Sequence, residues 1–417
     1  RSTRDWSSDV CSSDLGQHPP NAQDGVPDMP QPALKPGETR SFDFPARPGT
    51  HWMHSHIPVQ EMELLAAPLI VRSTDDAAQD RQEVTVLLHD LSFRSADEVL
   101  AEITSGAAMP GMAHDMASDG QTSMPGMDHS GMMMGGMMMG GMMMGAMDLN
   151  DFAFDAYLAN DRTLDDPEVV PVDKGGRIVL RIINGAAATV FWIDTGSLSG
   201  RLIATDGNAV VPVSGSRFGL AMGQRLDIEV TIPAEGGAFP ILALREGAVE
   251  RTGLVLAAPG AALTKIVTMA DTAHPAFSGD LAQEAMLQAA APLADHPVDR
   301  ADNLMLGGSM MPFRWTIDGQ GWGSHRPILA KTGERVVLTF HNMSMMAHPM
   351  HLHGHVFQVV ALNGQAMNGV LRDTVHVPPM SMVSVALDAG EAARWMLHCH
   401  HMPHLATGMM TEFTVSA

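Results

Sequence analysis

The segment from His398 to Met409, HCHHMPHLATGM, carries the side chains with the clearest chemistry in the chain. Cys399 lies between two histidines, His404 follows it five residues later, and Met409 follows it ten residues later. A cysteine thiolate, two histidines and a weak axial methionine form the ligand set of a blue electron-transfer copper. The segment therefore predicts a copper site that uses Cys399 and His404, with Met409 as the axial ligand.

His398 and His400 flank the cysteine and indicate a second centre. Successive side chains of a β-strand point to opposite faces, so both imidazoles would point away from the Cys399 thiolate if the segment is a strand. One strand could then hold a copper on one face and offer two imidazoles to another metal centre on the other face.

Two further histidine motifs lie upstream. A single His-x-His pair is weak evidence, because exposed strands often carry such pairs. The motifs HWMHSHIPVQ and HPMHLHGH precede HCH in the chain, and three such motifs in this order argue against a purely structural role for the histidines. The two upstream motifs contain His54, His56, His348, His351, His353 and His355.

Composition excludes several classes of protein. The chain has 417 residues and a net charge of −22, which would repel nucleic acid. It has no run of 18 apolar residues, so no membrane-spanning helix is predicted. A pairing of the two cysteines, Cys11 and Cys399, is not expected, because a metal ligand must be a free thiolate. The 35 methionines and 20 histidines are typical of a protein that handles a soft metal.

Three segments of the chain resemble one another. Each begins with a pair containing glycine, at Gly37, Gly175 and Gly333, and continues as a strand with matching apolar pairs; the last two end in asparagine. A repeat of this length indicates three related domains. The many short strands bounded by Gly, Pro, Asn and Asp predict an all-β fold of sandwiches or barrels, with short helices only at Ser95–Ile103 and near Gly279–Ala290.

Two segments differ from the rest. Residues 109–147 hold 15 methionines among glycines. Such a tract cannot bury a core, so we expect a disordered insertion that binds or delivers Cu(I); a solvated linker is the alternative. Residues 1–15, RSTRDWSSDVCSSDL, show no strand alternation, and we expect them to be a non-native leader, or else a disordered native tail.

From Gly16 to its end, the chain resembles multicopper oxidases of the bacterial laccase and copper-resistance (cuprous oxidase) type. The family fold is three cupredoxin domains, each a Greek-key β-barrel, which agrees with the threefold repeat. The resemblance implies an incomplete first domain at 16–73, a second at 82–258 that contains the methionine-rich insertion, and a third at 264–417 that carries the type 1 copper.

The resemblance also implies the copper ligands, for four coppers in all. They are His348, Cys399, His404 and Met409 for type 1 copper, His351 for type 2 copper, and His54, His56, His353, His398 and His400 for the type 3 pair. Cys399 would collect single electrons, and His398 and His400 would connect it to the trinuclear cluster. Asp24 matches a proton relay of the family, although an aspartate in an Asp-Gly turn is an equal reading. Asp373 would orient an imidazole or form a turn. His355 and His401 would lie beside ligands or on the surface.

One family motif is absent. The family has an earlier His-x-His-Gly motif, whose histidines would fall at positions 13 and 15, but the chain has Ser13 and Leu15 there. Ten of the family's twelve ligand positions are therefore present. We expect an incomplete trinuclear cluster, and we expect the chain as it stands to reduce oxygen weakly or not at all.

The implied function is oxidation of Cu(I), of phenols or of both, coupled to four-electron reduction of O2 to water, in copper tolerance and in the periplasm, by a monomer. Methionines near the type 1 motifs favour Cu(I): Met343, Met345, Met346, Met350, Met380, Met382 and Met402. Two alternatives stay open. A copper nitrite reductase needs no type 3 histidines, and a copper-sequestering protein needs no turnover.

Overall fold

The computed structural model describes five stretches of the chain. The methionine-rich tract at 109–147 and the leader at 1–15 lie outside them, so the predictions for both stay predictions. In the part of the chain that is described, no helix is both long enough and apolar enough to cross a membrane. The described residues are 16–27, 29–105, 149, 152–277 and 281–417.

The first part of the chain contains one two-stranded antiparallel sheet and two short helices. The sheet carries the HWMHSH motif, and His54 at its end is opposite Ala66 in the register. Its elements are a 3₁₀ turn at Asn21–Gln23, β1 (Gly49–His54), α1 (Pro58–Met62), β2 (Ala66–Val71) and α2 (Thr74–Ala78).

The strand predicted after Gly37 is wrong. Phe42 and Phe44 are half-buried, but their segment belongs to no strand. Prolines at 36, 45 and 48 interrupt it and remove backbone donors. The N–H of Asp43 donates instead to the side chain of Gln23 over 3.0 Å, where a ladder partner would be needed.

The middle of the chain forms two sheets around one apolar core. A six-stranded sheet has the order β4-β3-β6-β11-β8-β9 and a five-stranded sheet the order β10-β7-β12-β13-β5. Helix α3 confirms the helix predicted at Ser95–Ile103. The elements are β3 (Gln82–Leu91), α3 (Ala96–Ser105), β4 (Ala156–Ala159), β5 (Val169–Pro171), β6 (Arg177–Asn184), β7 (Phe191–Asp194), β8 (Gly200–Thr205), β9 (Asn208–Gly215), β10 (Arg217–Leu220), β11 (Arg225–Thr231), β12 (Ala238–Arg245) and β13 (Arg251–Ala257).

The C-terminal part repeats this arrangement. One sheet has the order β15-β14-β17-β23-β19-β20, with β21 beside β19, and a second has the order β16-β25-β24-β18-β22. Helix α4 lies inside the range predicted near Gly279–Ala290. The elements are α4 (Ala282–Met286), β14 (Arg300–Met310), β15 (Phe313–Ile317), β16 (Ile328–Lys331), β17 (Arg335–Asn342), β18 (His348–Leu352), β19 (Phe357–Leu362), β20 (Gln365–Ala366), β21 (Leu371–Arg372), β22 (Thr374–Val377), β23 (Met382–Asp388), β24 (Arg394–Cys399), α5 (Met402–Ala406) and β25 (Met410–Ser416).

The second and third copies of the repeat occupy equivalent places. β6 pairs in parallel with β3 and antiparallel with β11, and β17 pairs in parallel with β14 and antiparallel with β23. Seven of the eight residues of β6 are buried, as expected for a strand inside a sheet covered on both faces. The all-β prediction is confirmed, and so is the likeness of these two copies.

The asparagine that ends each of these strands makes equivalent hydrogen bonds in the two copies. Asn184 donates to the carbonyls of Thr189 and Leu220 and accepts from the N–H of Ala186. Asn342 donates to three carbonyl oxygens over 2.7–3.0 Å and accepts from the N–H of Ser344. Each side chain thus ties the loop after its strand to a neighbouring strand, and Asn342 holds the loop that leads to His348.

We expect Asn342→Ala to destabilise the C-terminal part by about 3 kcal/mol, because it leaves several buried carbonyls without a donor. Chemical denaturation followed by tryptophan fluorescence measures this. The matched control is Asn303→Ala, since Asn303 is exposed on the neighbouring strand β14 and should change stability by less than about 0.5 kcal/mol. Equal effects of the two substitutions would contradict the role assigned to Asn342.

Candidate copper centres

Three fully buried side chains converge near the end of the chain. His348 begins β18, Cys399 ends β24 and His404 lies in α5. The Cys399 Sγ is 3.7 Å from the His348 Nδ1 and 3.6 Å from the His404 Nδ1, and the two Nδ1 atoms are 3.2 Å apart. One thiolate and two imidazoles thus face a common point, which is the donor set of a trigonal type 1 copper.

The surroundings of this group orient its rings. The Ser344 hydroxyl lies 2.8 Å from the His348 Nε2, which leaves Nδ1 directed at the thiolate. Trp315 packs on His404 with ring centroids 4.2 Å apart. Burial lowers the pKa of both His348 and His404 well below the ordinary range, so both rings are neutral and able to bind a metal at neutral pH.

Met409, the predicted axial ligand, is fully buried beside the same group. Its N–H donates to the His404 carbonyl, and its carbonyl accepts from the Cys399 N–H, each over 3.0 Å. The structure therefore brings the backbone of Met409 next to both of these predicted ligands.

A second group contains three imidazoles from three segments of the chain: His56 after β1, His353 after β18 and His398 in β24. The His353 Nε2 lies 3.0 Å from the His56 Nε2 and 3.3 Å from the His398 Nε2. These three atoms fall within the span that one metal ion can bridge. The other nitrogens of two rings are held by the protein, since the His353 Nδ1 contacts the Asp24 carboxylate and the His398 Nδ1 contacts the Cys399 carbonyl.

A third group contains two imidazoles and a carboxylate. The Nε2 atoms of His54 and His400 are 3.4 Å apart. Glu61 of α1 lies on the opposite side of both rings, with its Oε2 2.7 Å from the His54 Nδ1 and its Oε1 4.0 Å from the His400 Nδ1. Its side chain is fully buried. Glu61 was not among the residues predicted from the sequence; its one signal there is a carboxylate on the segment directly after the HSH motif.

His351 lies between the second and third groups. Its ring centroid is 4.8 Å from that of His353, 5.5 Å from that of His398 and 6.2 Å from that of His400. Its Nδ1 lies 2.8 Å from the carbonyl oxygen of Asp373. The structure thus gathers in one region all six histidines that the resemblance assigned to the type 2 and type 3 coppers.

The spacing of these nitrogens fits metal binding. Imidazole–metal bonds of about 2 Å in tetrahedral geometry place the donor nitrogens about 3.3 Å apart. The facing Nε2 atoms here are 3.0–3.4 Å apart. In His54, His353 and His398, whose Nε2 atoms face a group, Nδ1 contacts a carboxylate or carbonyl oxygen, which sets the tautomer and the ring orientation. The residues that are present therefore fit copper.

The strand β24 separates the two kinds of centre. The Cα of Cys399 pairs with Met350 and that of His398 with His351, so neighbouring side chains of β24 point to opposite faces. Cys399 belongs to the thiolate group, while His398 and His400 belong to the two imidazole groups.

The accessory predictions have different outcomes. Asp24 is buried against His353, its Oδ2 3.0 Å from the ring Nδ1, so it is more than a turn residue. Asp373 holds His351 through its carbonyl, and its carboxylate accepts two hydrogen bonds from Arg225 over 2.6 Å. His355 and His401 are buried, so the surface reading of both is wrong.

A cavity of about 270 Å³ leads toward the second group. His56 forms part of its wall. The rest of the wall is apolar except at the backbone: Val26, Pro27, Ile57, Pro58, Trp322, Met396, Leu405, Ala406 and Met410.

We expect Glu61→Gln to lower copper affinity about tenfold to hundredfold, because the carboxylate that orients His54 is replaced by a neutral, weaker acceptor. Copper per chain after dialysis against a graded chelator measures this. Glu63→Gln is the matched control, since Glu63 lies two residues away and is exposed. If both variants keep the copper content of the parent, Glu61 does not support the site.

The sequence of the chain resembles those of known proteins. Family models described as multicopper oxidase match residues 12–76, 83–258 and 295–417. Over 390 residues the chain is 30% identical to multicopper oxidase MmcO of Mycobacterium tuberculosis, covering 90% of this chain and 70% of the relative. It is 25% identical over 502 residues to copper resistance protein A of Escherichia coli, covering 95% of this chain and 82% of the relative.

Solved structures share the fold. The crystal structure of a laccase from Botrytis aclada superposes with a TM-score of 0.75 at 19% identity, covering 98% of this chain and 78% of the laccase. The cupredoxin-like all-β architecture expected from the resemblance is confirmed. The chain therefore belongs to the multicopper oxidase family, and it is a copper-using oxidoreductase.

Proposed function

We propose that the chain couples one-electron oxidation of Cu(I), and secondarily of phenols, to the four-electron reduction of O2 to water, and that it serves in copper tolerance. One observation carries this proposal: the thiolate group and the imidazole groups meet on three consecutive residues, at the end of β24 and directly after it. Cys399 is covalently next to both His398 and His400, whose rings belong to the two imidazole groups. An electron that arrives at Cys399 then has a short covalent path to the two imidazole groups, where we propose that oxygen is reduced.

Copper, when bound, supplies the one-electron redox chemistry, and the protein supplies its place and surroundings. We propose the ligand assignment of the resemblance for this chain. His348, Cys399 and His404 are fully buried, so water is kept from the group that collects electrons. The hydrogen bond between the Ser344 hydroxyl and the His348 Nε2 and the packing of Trp315 on His404 hold the rings against rearrangement when the charge of the group changes.

Protons have a candidate route through Asp24. Its carboxylate is buried and contacts the His353 Nδ1 at 3.0 Å, on the side of the ring away from the group. There it can carry a proton or accept a hydrogen bond from the imidazole N–H. Leu405 stands where some relatives carry a second acid, so we assign no relay there.

Oxygen has a candidate path through the cavity at His56. The cavity has apolar walls, which suit a small apolar molecule, and it ends at an imidazole of the second group. Met396 in its wall lies two residues before His398 on β24, so the cavity lies on the face of β24 opposite Cys399.

Exposed methionines support Cu(I) as the electron donor. Met343 and Met345 precede His348 and are 58% and 59% exposed, and Met380 follows β22 and is 64% exposed. Asn342 binds carbonyls in both of these loops, so their thioethers share one surface near the type 1 group. Thioethers are soft ligands that favour Cu(I). One relative bears the name copper resistance protein A, which agrees with this role.

The two alternative functions are less well supported. A copper nitrite reductase would need no type 3 pair, so the histidines of the HSH and HCH motifs count against it. A copper-sequestering protein would not need a buried thiolate joined to both groups by one strand. We also propose a periplasmic monomer and domain limits of 16–73, 82–258 and 264–417, which follow from the resemblance.

Oxygen consumption with Cu(I) in the absence of nitrite is the decisive measurement. We expect a blue absorption band in the copper-loaded protein, with weak or no Cu(I)-dependent oxygen uptake by the chain as it stands and clear uptake after the substitutions described next. Cys399→Ser should abolish the band and the uptake, since a hydroxyl cannot replace the thiolate. Glu63→Gln should leave both unchanged. A protein that binds copper but takes up no oxygen, even after the substitutions described next, would overturn the oxidase proposal.

We expect the double substitution Ser13→His with Leu15→His to raise the rate of oxygen uptake at least tenfold, because it supplies the two imidazoles that the family motif has there. The blue band should stay unchanged, since the thiolate group does not use these positions. The matched control is Ser12→His with Asp14→His, which adds two histidines in the wrong alternation. An equal gain in the control would contradict the assignment of positions 13 and 15.

A further inference from the structure

A cavity of about 80 Å³ lies between the middle and C-terminal parts of the chain, and no predicted copper ligand lines it. Its apolar wall consists of Trp192, Phe277, Leu281 and Pro378. Trp192 and Phe277 meet edge to face, with ring centroids 4.3 Å apart. The rings and the apolar side chains thus form one apolar wall of an open slot, against which a small planar molecule can lie.

The slot is held rigidly by its supports. The Trp192 Nε1 donates to the Pro275 carbonyl over 2.8 Å, and the Phe277 N–H donates to the Glu246 carboxylate over 2.5 Å. Phe277 also lies directly on Gly219, where a Cβ would come within 2.5 Å of the ring. Because a side chain at position 219 would displace Phe277, the glycine makes room for this wall.

Four polar side chains line the slot, and three of them already make hydrogen bonds to other groups of the protein. Gln283 binds both the N–H and the carbonyl of Gly219. Glu284 accepts two hydrogen bonds from Arg372. Gln224 accepts from the N–H of Ala221 and donates to a carbonyl of β22.

His376 is the exception among the described residues of the wall. Its side chain is buried, with 7% of its surface exposed. It packs edge to face on Phe277, with ring centroids 5.3 Å apart. Neither of its ring nitrogens has a hydrogen-bond partner within the described chain. Burial lowers its pKa to about 3, so the ring is neutral and offers one donor and one acceptor. A buried polar group without a partner is costly, and a ligand that supplies the partner would recover that cost.

We propose that this slot binds a planar aromatic molecule that carries one O–H or N–H donor, with the ring against the wall formed by Trp192 and Phe277 and the donor on His376. No ligand atom is expected to touch a copper ligand. His376 is opposite Pro349 in the β22–β18 ladder, one residue from His348. The bound molecule would therefore lie one strand from the type 1 group. Its binding would not depend on which electron donor the enzyme oxidises.

Equilibrium binding to the metal-free protein tests the proposal, with phenol, indole and toluene as probes and titration calorimetry as the readout. Phenol and indole share the donor, and their comparison shows which ring the slot prefers. Toluene has the shape of phenol without the donor. We expect phenol to bind about tenfold more tightly than toluene, which is the effect of one hydrogen bond to a buried acceptor.

Two substitutions at His376 separate hydrogen bonding from shape. His376→Leu should abolish the preference for phenol over toluene, and His376→Gln, which keeps a polar partner, should retain part of it. The control is His296→Leu, since His296 is an exposed histidine outside the slot. Equal binding of phenol and toluene to the parent chain, an unchanged preference in His376→Leu, or no saturable binding of any probe would show that the slot holds only water and would overturn the proposal.

Discussion

The alternation of side chains along β24 is the constraint on which the arrangement of centres depends. A strand places neighbouring residues on opposite faces, so the sequence His-Cys-His sends one thiolate to one side and two imidazoles to the other. The register with β18 then brings His351 opposite His398. A shift of one residue would exchange the faces and disperse both kinds of group, which explains why this strand is paired on both sides and buried.

Hydrogen bonds to the far nitrogen of each ring complete what the strand begins. Asp24, Glu61 and the carbonyl of Asp373 each hold one Nδ1, and the facing Nε2 atoms converge as a result. These three partners come from different segments of the chain. The imidazole groups therefore form only when the first part of the chain packs on the C-terminal part.

A buried network of charges joins these parts. Arg225 from the middle of the chain binds both carboxylate oxygens of Asp373 and the carbonyl of Thr50. Arg372 binds Glu284 and Asp206. Removal of one member would leave a buried charge without its partner, which costs several kcal/mol in comparable pairs, about 3–5. The network thus makes the junction of the three segments specific and supports His351 from behind.

Much of the fold and of the site follows from local patterns in the sequence. The strands, the helix near Ser95 and the equivalence of the copies ending in Asn184 and Asn342 depend on side-chain periodicity and on turn residues, which act over a few positions. The division of labour between Cys399 and its two neighbours depends on strand alternation alone. The strand around Phe42 was predicted wrongly because nearby prolines and the side chain of Gln23 deny its backbone a ladder partner.

Tertiary structure decided what depends on contacts between distant segments. Glu61 could not be recognised as a partner of His54 and His400 until α1 was packed against α5 and β24, since burial and distance are not properties of local sequence. The same holds for Arg225 at Asp373, and for His376, whose missing partners are visible only inside the folded slot. Sequence by itself determined which residues could bind copper, because donor chemistry belongs to each side chain. The fold determined which of them meet and which way each ring faces, because those depend on how separate strands pack.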